Sequence, residues 1–490
     1  MDPTVQSQGY GFAKYPSVRL YSYKLDKKTG TRKFTVTNQL IFGDWIGLVM
    51  EKKQPVTVTE KNKTYVKVHS RSQGYVLPGD ILPDRILEVN FIDVGQGDGC
   101  HVVTPDDKHF IIDAGPGDNM WRFLKWRFNL KKGKTKPPRF TAVISHSDSD
   151  HYRGFGNVFA PGSGINQKLA FEKIYHNGLV ETSGSSLDSL GTVTADKQFV
   201  TGLCDTDAQF KALVKNQKKP GVYISTLLKS DAPKEALRYG KPAIFKQGDL
   251  VIEPVGPFAV GTGGGAKLPV FGGDKGKTKN GNSVILRLTM GKLKILLGGD
   301  LNSLSEDWLL SKFSGIDMPA LRTELSQKKL SASRKKEIGK LMEEAVLKSR
   351  AELQVDIAKS CHHGSSDFTT EFLRALNPIV TVISSGDEES YCHPRPETLG
   401  TIGKYARGDR PMIFSTELAR STREFTDLKE LSAVKKKERT VTVYGMINVR
   451  SDGNKIVIAQ KLEKKAQGRA WDIHCLEWKE ATGSFEPVKG

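Results

Sequence analysis

The chain lacks the features that would place it in a membrane or an oxidising compartment. No apolar run approaches the roughly 18 to 20 residues that a bilayer demands, and the opening MDPTVQSQGYGF has neither the basic nor the apolar region of a secretory leader. Its five cysteines (Cys100, Cys204, Cys361, Cys392 and Cys475) are odd in number and scattered, with no CxxC pair. That excludes a disulfide framework or a thiolate zinc site as the organising chemistry. The expectation is a cytoplasmic protein with no membrane partner. Acidic residues are also scarce: 55 Asp and Glu against 74 Lys and Arg leave a formal charge of +19 over 490 residues. Such a surplus favours a polyanionic partner over simple solubility. The length predicts two or three domains.

Short strands separated by turns run from about residue 18 to 85. PVTVTEKNKTYVKVHS alternates apolar and polar positions around the tip EKNK, which predicts a hairpin. With QGYV nearby, the pattern resembles a small SH3-like barrel, and residues 1–85 are read as an SH3-like β domain open to nucleic acid, a peptide or a protein partner. From Ile86 the pattern changes. ILEVNFIDV, CHVV and FIIDAG predict a three-strand meander, NMWRFLKWRFNL a helix and FTAVIS a buried strand. Strands and helices then alternate to about residue 410, the signature of a large α/β domain. Its expected span is 86–420, with a helical insert at about 304–354. The glycine-rich stretch 261–281 reads as a loop; its GKT ends like a phosphate-binding loop, but Phe271 stands where that motif needs glycine. Residues 421–490 are expected to form a β extension, with a hairpin around SDGN.

SHSDSDHYRG, residues 145–154, follows the apolar run TAVI. A turn leaving a buried strand is a rigid base for metal ligands. His146, Asp148, Asp150 and His151 are more ligands than one ion takes from one loop, so the spacing suggests two ions. Further polar residues close apolar runs elsewhere: Asp113 in FIIDAG, Asp300 in KILLGGD, His362 and His363 in IAKSCHHGSSDF, and His393 in YCHP. Sites in layered α/β folds gather at strand ends.

FIDVGQGDG, FIIDAG, ISHSDSDHYRG, GNSVILRL with ILLGGD, HHGSSDF and YCHPRPETL together resemble the metallo-β-lactamase fold hydrolases, most closely the hydrolase domain of the DNA-uptake protein ComEC, over about residues 86–410. The resemblance implies a four-layer αββα fold and a two-metal site. His146 and Asp148 would face one ion and Asp150 and His151 the other; Asp300 would bridge them, and one of His362 and His363, with His362 favoured, would complete the set. It places Asp113 behind a ligand, gives Asp93 and Asp98 turn-forming or supporting roles, and sets Asn282 and Ser365 along the substrate site. Asp150 and His393 are the candidate catalytic residues, His393 near the scissile phosphate or leaving oxygen. His176 has no place in the set. Asp148 stands where the usual HxHxDH motif has histidine, which favours Mn²⁺ or Mg²⁺ relative to a histidine-rich Zn²⁺ site.

Two ions about 3.5–4 Å apart can activate water for displacement at phosphorus. WRFLKWRFNLKKGKTKPPRF carries eight basic residues and no acidic one. Its Lys131, Lys132, Lys134 and Lys136 are candidate phosphate contacts, while most of its aromatics suit the buried face of a helix. The leading expectation is a DNA nuclease. A phosphodiesterase for a nucleotide or cyclic oligonucleotide, a hydrolase of other esters and a non-catalytic nucleic-acid-binding module are the alternatives.

Overall fold

In the computed structural model every residue is described except 26–29, 71, 131–135, 161–167, 262–264, 387–390, 417–444, 467–468 and 489–490. The N-terminal strands form one eight-stranded antiparallel sheet around Val18, Leu20, Ile46, Leu48, Val66, Val68 and Val76. The expected hairpin joins Thr57–Glu60 to Lys63–His69. Lys61 and Asn62 take φ of +48° and +59° at its tip, the two positive dihedrals that let a two-residue turn match the strand twist.

The rest of the chain is built on two facing sheets. The first has ten strands in the spatial order Lys234–Ala236, Ala170–His176, Arg139–Val143, His109–Ala114, Gly99–Val103, Leu87–Phe91, Ile447–Ser451, Lys455–Ala466, Arg469–Lys479 and Ser484–Val488. The second has seven: Phe245–Gln247, Leu250–Gly256, Ile285–Met290, Leu293–Leu297, Ile357–Lys359, Val380–Ile383 and Met412–Ser415. Leu87, Val89, Phe110, Leu286, Ile295, Ile357, Val382 and Ile447 lie in the core shared by both sheets. Helix Asn119–Arg127 packs its Met120, Phe123 and Leu124 on the outside of the first sheet. Helices Ser303–Ser314, Met318–Leu325, Ala332–Leu353 and Thr370–Leu376 cover the outside of the second. Because both faces of each sheet are covered, the inner strands read as continuous apolar runs rather than alternating ones. The layer order is helix, sheet, sheet, helix.

Two segments differ from the sequence expectation. The helices of residues 304–354 are a layer of the fold and not an insert: Leu309, Leu310, Ile338, Met342 and Val346 are buried against the second sheet. The glycine-rich stretch 261–281 holds a helix, Lys275–Gly281, capped by the Asp274 carboxylate, which accepts from the Lys277 N–H. The C-terminal strands extend the first sheet, since Ile447–Ser451 pairs with Leu87–Phe91. The residues TVTVY before that strand lie outside the described residues.

A buried charge cluster ties this joint together. Glu88 meets Arg127 at 2.7 Å, Arg450 at 3.3 Å and Arg85 at 3.5 Å. Burial alone would raise its carboxyl, but Arg127, Arg450 and Arg85 carry it down to about 2. A depressed carboxyl stabilises the fold above its unfolded value, and that contribution is lost as pH falls through the folded one. The cluster should therefore weaken between about pH 4.5 and pH 2. Glu88→Ala leaves Arg450 buried without its partner and is expected to cost about 3–5 kcal/mol at pH 7 in urea unfolding. A loss below about 1 kcal/mol would show that the cluster does not hold the joint.

Candidate metal centre

In each sheet the run of parallel strands sends its carboxyl ends toward the same place. Strand Arg139–Val143 leads through Ser145 and His146 into the short helix Ser149–Tyr152, which carries Asp150 and His151. Asp113, at the end of the neighbouring strand, holds this turn. Its carboxylate accepts from the Ser145 N–H at 2.7 Å and from the Ser145 hydroxyl at 2.6 Å, and lies 2.8 Å from His151 Nδ1. The GQGDG turn packs against the same loop. Gly97 has φ +125°, and a Cβ there would sit 2.1 Å from the Asp150 carbonyl oxygen, so only glycine fits.

The second sheet supplies Asp300 after strand Leu293–Leu297 and His363 after strand Ile357–Lys359. His362 and His363 have φ of +49° and +54°, a left-handed conformation that non-glycine residues rarely adopt and that persists only where the surroundings enforce it. This geometry corrects the choice between them. His363 Nε2 lies 3.1 Å from Asp300 and 3.3 Å from Asp150. His362 stands aside, its ring 6.0 Å from that of His393.

The largest compact set among the described residues is Asp150, His151, Asp300 and His363, whose donor atoms all lie within 4.8 Å of one another; Asp98, Asp113 and His151 form a second, smaller group behind it. His151 Nε2 is 3.2 Å from Asp300. The Nδ1 atoms face outward, His151 to Asp113 and His363 to the Ser384 carbonyl at 3.0 Å and to Asp98 at 3.3 Å. This fixes each imidazole with its Nε2 directed inward, as outer partners do for metal-ligating histidines. His151 Nε2, His363 Nε2 and Asp300 Oδ1 are buried and make no hydrogen bond among the described residues. Two imidazoles and two carboxylates converging on one buried point are a donor set that fits a divalent ion. The field shows in the titrations as well. Burial alone would lower His151 and His363, but the carboxylates around them, Asp300 foremost, carry both well above the ordinary histidine value.

Two lysines were missed in the sequence. Lys359 ends its strand buried, ion-paired to Asp98 and 3.7 Å from Asp300. A lysine closing a buried apolar strand was the available signal, since buried lysines are almost always paired. Lys279, from the helix in the glycine-rich stretch, is ion-paired to Asp148 and lies 3.3 Å from Glu181. Burial would raise Asp148, but His146 and Lys279 hold it well below the usual carboxylate range. Asp148 and His146 therefore lie beside the four-residue set and not in it. His146 Nε2 is 3.6 Å from Asp148, and its Nδ1 faces the hydroxyls of Ser145 at 3.0 Å and Ser283 at 3.3 Å.

The remaining candidates fall into local roles. Asp93 accepts from the Gly95 N–H at 3.4 Å within its turn. Asn282 is buried and donates to the carbonyls of Pro269 and Thr278, and the Ser365 hydroxyl accepts from the Asp367 N–H. His176 is buried and accepts from the Gly178 N–H. His393 is half-buried beside His363, at 6.5 Å between ring centroids. Lys136 is exposed; Lys131, Lys132 and Lys134 lie outside the described residues. Trp121 and Phe123 are buried, and Trp126 and Phe128 pack against the same core.

No family model matches the chain, and no curated protein matches it. Among solved structures it is similar to Tm1679, described as a metal-dependent hydrolase of the β-lactamase superfamily, with 12% identity and a TM-score of 0.29, over 67% of this chain and 95% of that one. No described helix is long and apolar enough to cross a membrane.

Proposed function

We propose that the chain is a metal-dependent phosphodiester hydrolase acting on nucleic acid, with DNA as the favoured substrate. The observation that carries this reading is the convergence of Asp150, His151, Asp300 and His363, whose donor atoms all lie within 4.8 Å of one another. The motifs shared with ComEC-type hydrolases and the charge of +19 support a polyanionic phosphodiester over a small neutral ester.

Asp150, His151, Asp300 and His363 would hold a divalent ion, Mn²⁺, Mg²⁺ or Zn²⁺. Such an ion supplies Lewis-acid polarisation of the phosphoryl group and lowers the pKa of water. Asp113 and Asp98 keep the two imidazoles oriented, and Lys359 offsets part of the charge of four clustered carboxylates. His393 is pushed down to about 4 by burial and by His363 and His362. A neutral imidazole there would serve as a hydrogen-bonding partner of the scissile phosphate or the leaving oxygen.

The test incubates the purified chain with single-stranded DNA, duplex DNA, RNA and cyclic dinucleotides under Mn²⁺, Mg²⁺, Zn²⁺ or chelator, beside Asp150→Asn. DNA cleavage lost in chelator and in the variant is the expected result. Cleavage that survives either, or cleavage of cyclic dinucleotides with the polymers intact, would overturn the proposal.

A further inference from the structure

The N-terminal sheet has an unusual outer face. Its inner face carries Val18, Leu20, Val66, Val68 and Val76, so by the alternation of strands the odd-numbered neighbours Tyr21, Tyr23, Tyr65, Lys67 and Tyr75 point the other way. The register confirms a common face: Tyr21 lies opposite Tyr75, Tyr23 opposite Phe34, and Tyr75 opposite Lys67. An outward face is ordinarily polar. Here Phe34 stacks on Tyr65 at 3.9 Å and on Tyr23 at 4.6 Å, while Tyr75 meets Phe34 edge-on at 5.5 Å and Tyr21 meets Tyr65 edge-on at 5.5 Å. All five rings are only partly buried. The same face continues across Lys67 and His69 to Trp45 and Tyr10, which are 39% and 38% exposed and stack at 6.3 Å.

Charge accompanies the rings. The eight strands of this sheet carry Arg19, Lys24, Arg32, Lys33, Lys63 and Lys67 against a single carboxylate, Glu60. Arg19, Arg32, Lys63 and Lys67 share the face with the rings, and the Arg32 guanidinium lies 5.8 Å from the centre of Tyr23.

We propose that this face binds single-stranded nucleic acid. The proposal deepens the reading of the chain as a nucleic-acid hydrolase, by giving the polymer's strand state. Partly exposed rings in a row offer stacking surfaces for successive unpaired bases, and interleaved cations follow the phosphates. A duplex keeps its base faces stacked and offers the rings nothing. A proline-rich peptide can also use aromatic grooves, but it gains nothing from the four cations on this face.

The test measures fluorescence anisotropy of a labelled oligothymidylate, an oligouridylate, a duplex of equal length and a proline-rich decapeptide with the full chain in chelator. Variants are Tyr23→Leu, Tyr65→Leu and the exposed pair Arg32→Glu with Lys63→Glu, which leaves the inner core untouched. The single strands should bind well above the duplex. Each ring variant should weaken them by roughly 5-fold or more, and the charge pair by a factor that shrinks as salt rises. The two single strands identify the polymer as DNA or RNA. Hydrolysis of bis-p-nitrophenyl phosphate with metal, which needs no stacking, should be unchanged in all variants. Equal affinity for the duplex, oligonucleotide binding indifferent to the ring and charge variants, or a ring-dependent peptide site with no oligonucleotide binding would overturn the proposal. Intact small-ester hydrolysis in those cases leaves the hydrolase reading standing. Ring-dependent binding without any hydrolysis would sink that reading alone.

Discussion

Asp300→Asn is expected to strip the chain of metal. Asp300 is the residue that both inward-facing imidazoles share, at 3.2 Å from His151 and 3.1 Å from His363, and its Oδ1 is buried without a hydrogen bond. An asparagine of the same shape keeps the packing but brings an N–H or a neutral oxygen where a negative charge is needed. Loss of an outer partner alone costs about 10–100-fold in metal affinity, and loss of a ligand should exceed that. Elemental analysis after dialysis should find the wild type loaded and the variant empty. Hydrolysis should fall on the order of 10³-fold, the scale of removing one preorganised electrostatic stabiliser. The apo variant should keep its fold, because asparagine matches the shape of aspartate at this packed position. A variant that retains the ion at wild-type occupancy would show that the cluster is not the metal centre.

The strand-end residues were legible in the sequence because an apolar run that ends in Asp or His leaves a period-two or buried pattern with a single polar stop. FIIDAG, KILLGGD and TAVISH all carry that signature, and Asp113, Asp300 and the Asp150–His151 pair stand where it points. What was illegible depends on backbone geometry that no pattern encodes. His362 is nearer its strand end, but two successive left-handed residues turn His363 inward instead. The helix Lys275–Gly281 was hidden because glycine and lysine have weak or ambiguous helical signals; Asp274 capping a turn of polar residues was the clue, and its consequence, Lys279 on Asp148, is a tertiary contact. The helices of residues 303–353 read as an insert because their charge is mixed. Their buried stripe of Leu310, Ile338, Met342 and Val346 makes sense only once the second sheet is in place. Likewise the aromatic face of the N-terminal sheet is spread over strands far apart in the chain, and only register brings Tyr21, Tyr23, Phe34, Tyr65 and Tyr75 together.

Lys279→Met is expected to increase the number of metal ions held per chain from one to two. Four carboxylate and imidazole donors form one set, while Asp148 and His146, the pair expected to face a second ion, are met by the Lys279 ammonium. That ammonium is only 13% exposed and also serves Glu181, so it occupies the place of a cation and not a solvated surface position. Methionine keeps the apolar length and removes the charge, which leaves Asp148 and Glu181 without their ammonium partner, beside His146. Buried carboxylates in that state recruit a cation. Calorimetric titration with Mn²⁺ should give one equivalent for the wild type and two for the variant. Electron paramagnetic resonance should change from the six lines of an isolated Mn²⁺ to the multiline signal of a coupled pair. Asp148→Asn, by contrast, should leave the single ion bound and cost stability, because Lys279 then keeps only Glu181 as its partner. Two equivalents in the wild type, or loss of the first ion in Asp148→Asn, would return Asp148 to the ligand set and restore the two-metal site that the spacing of HSDSDH suggests.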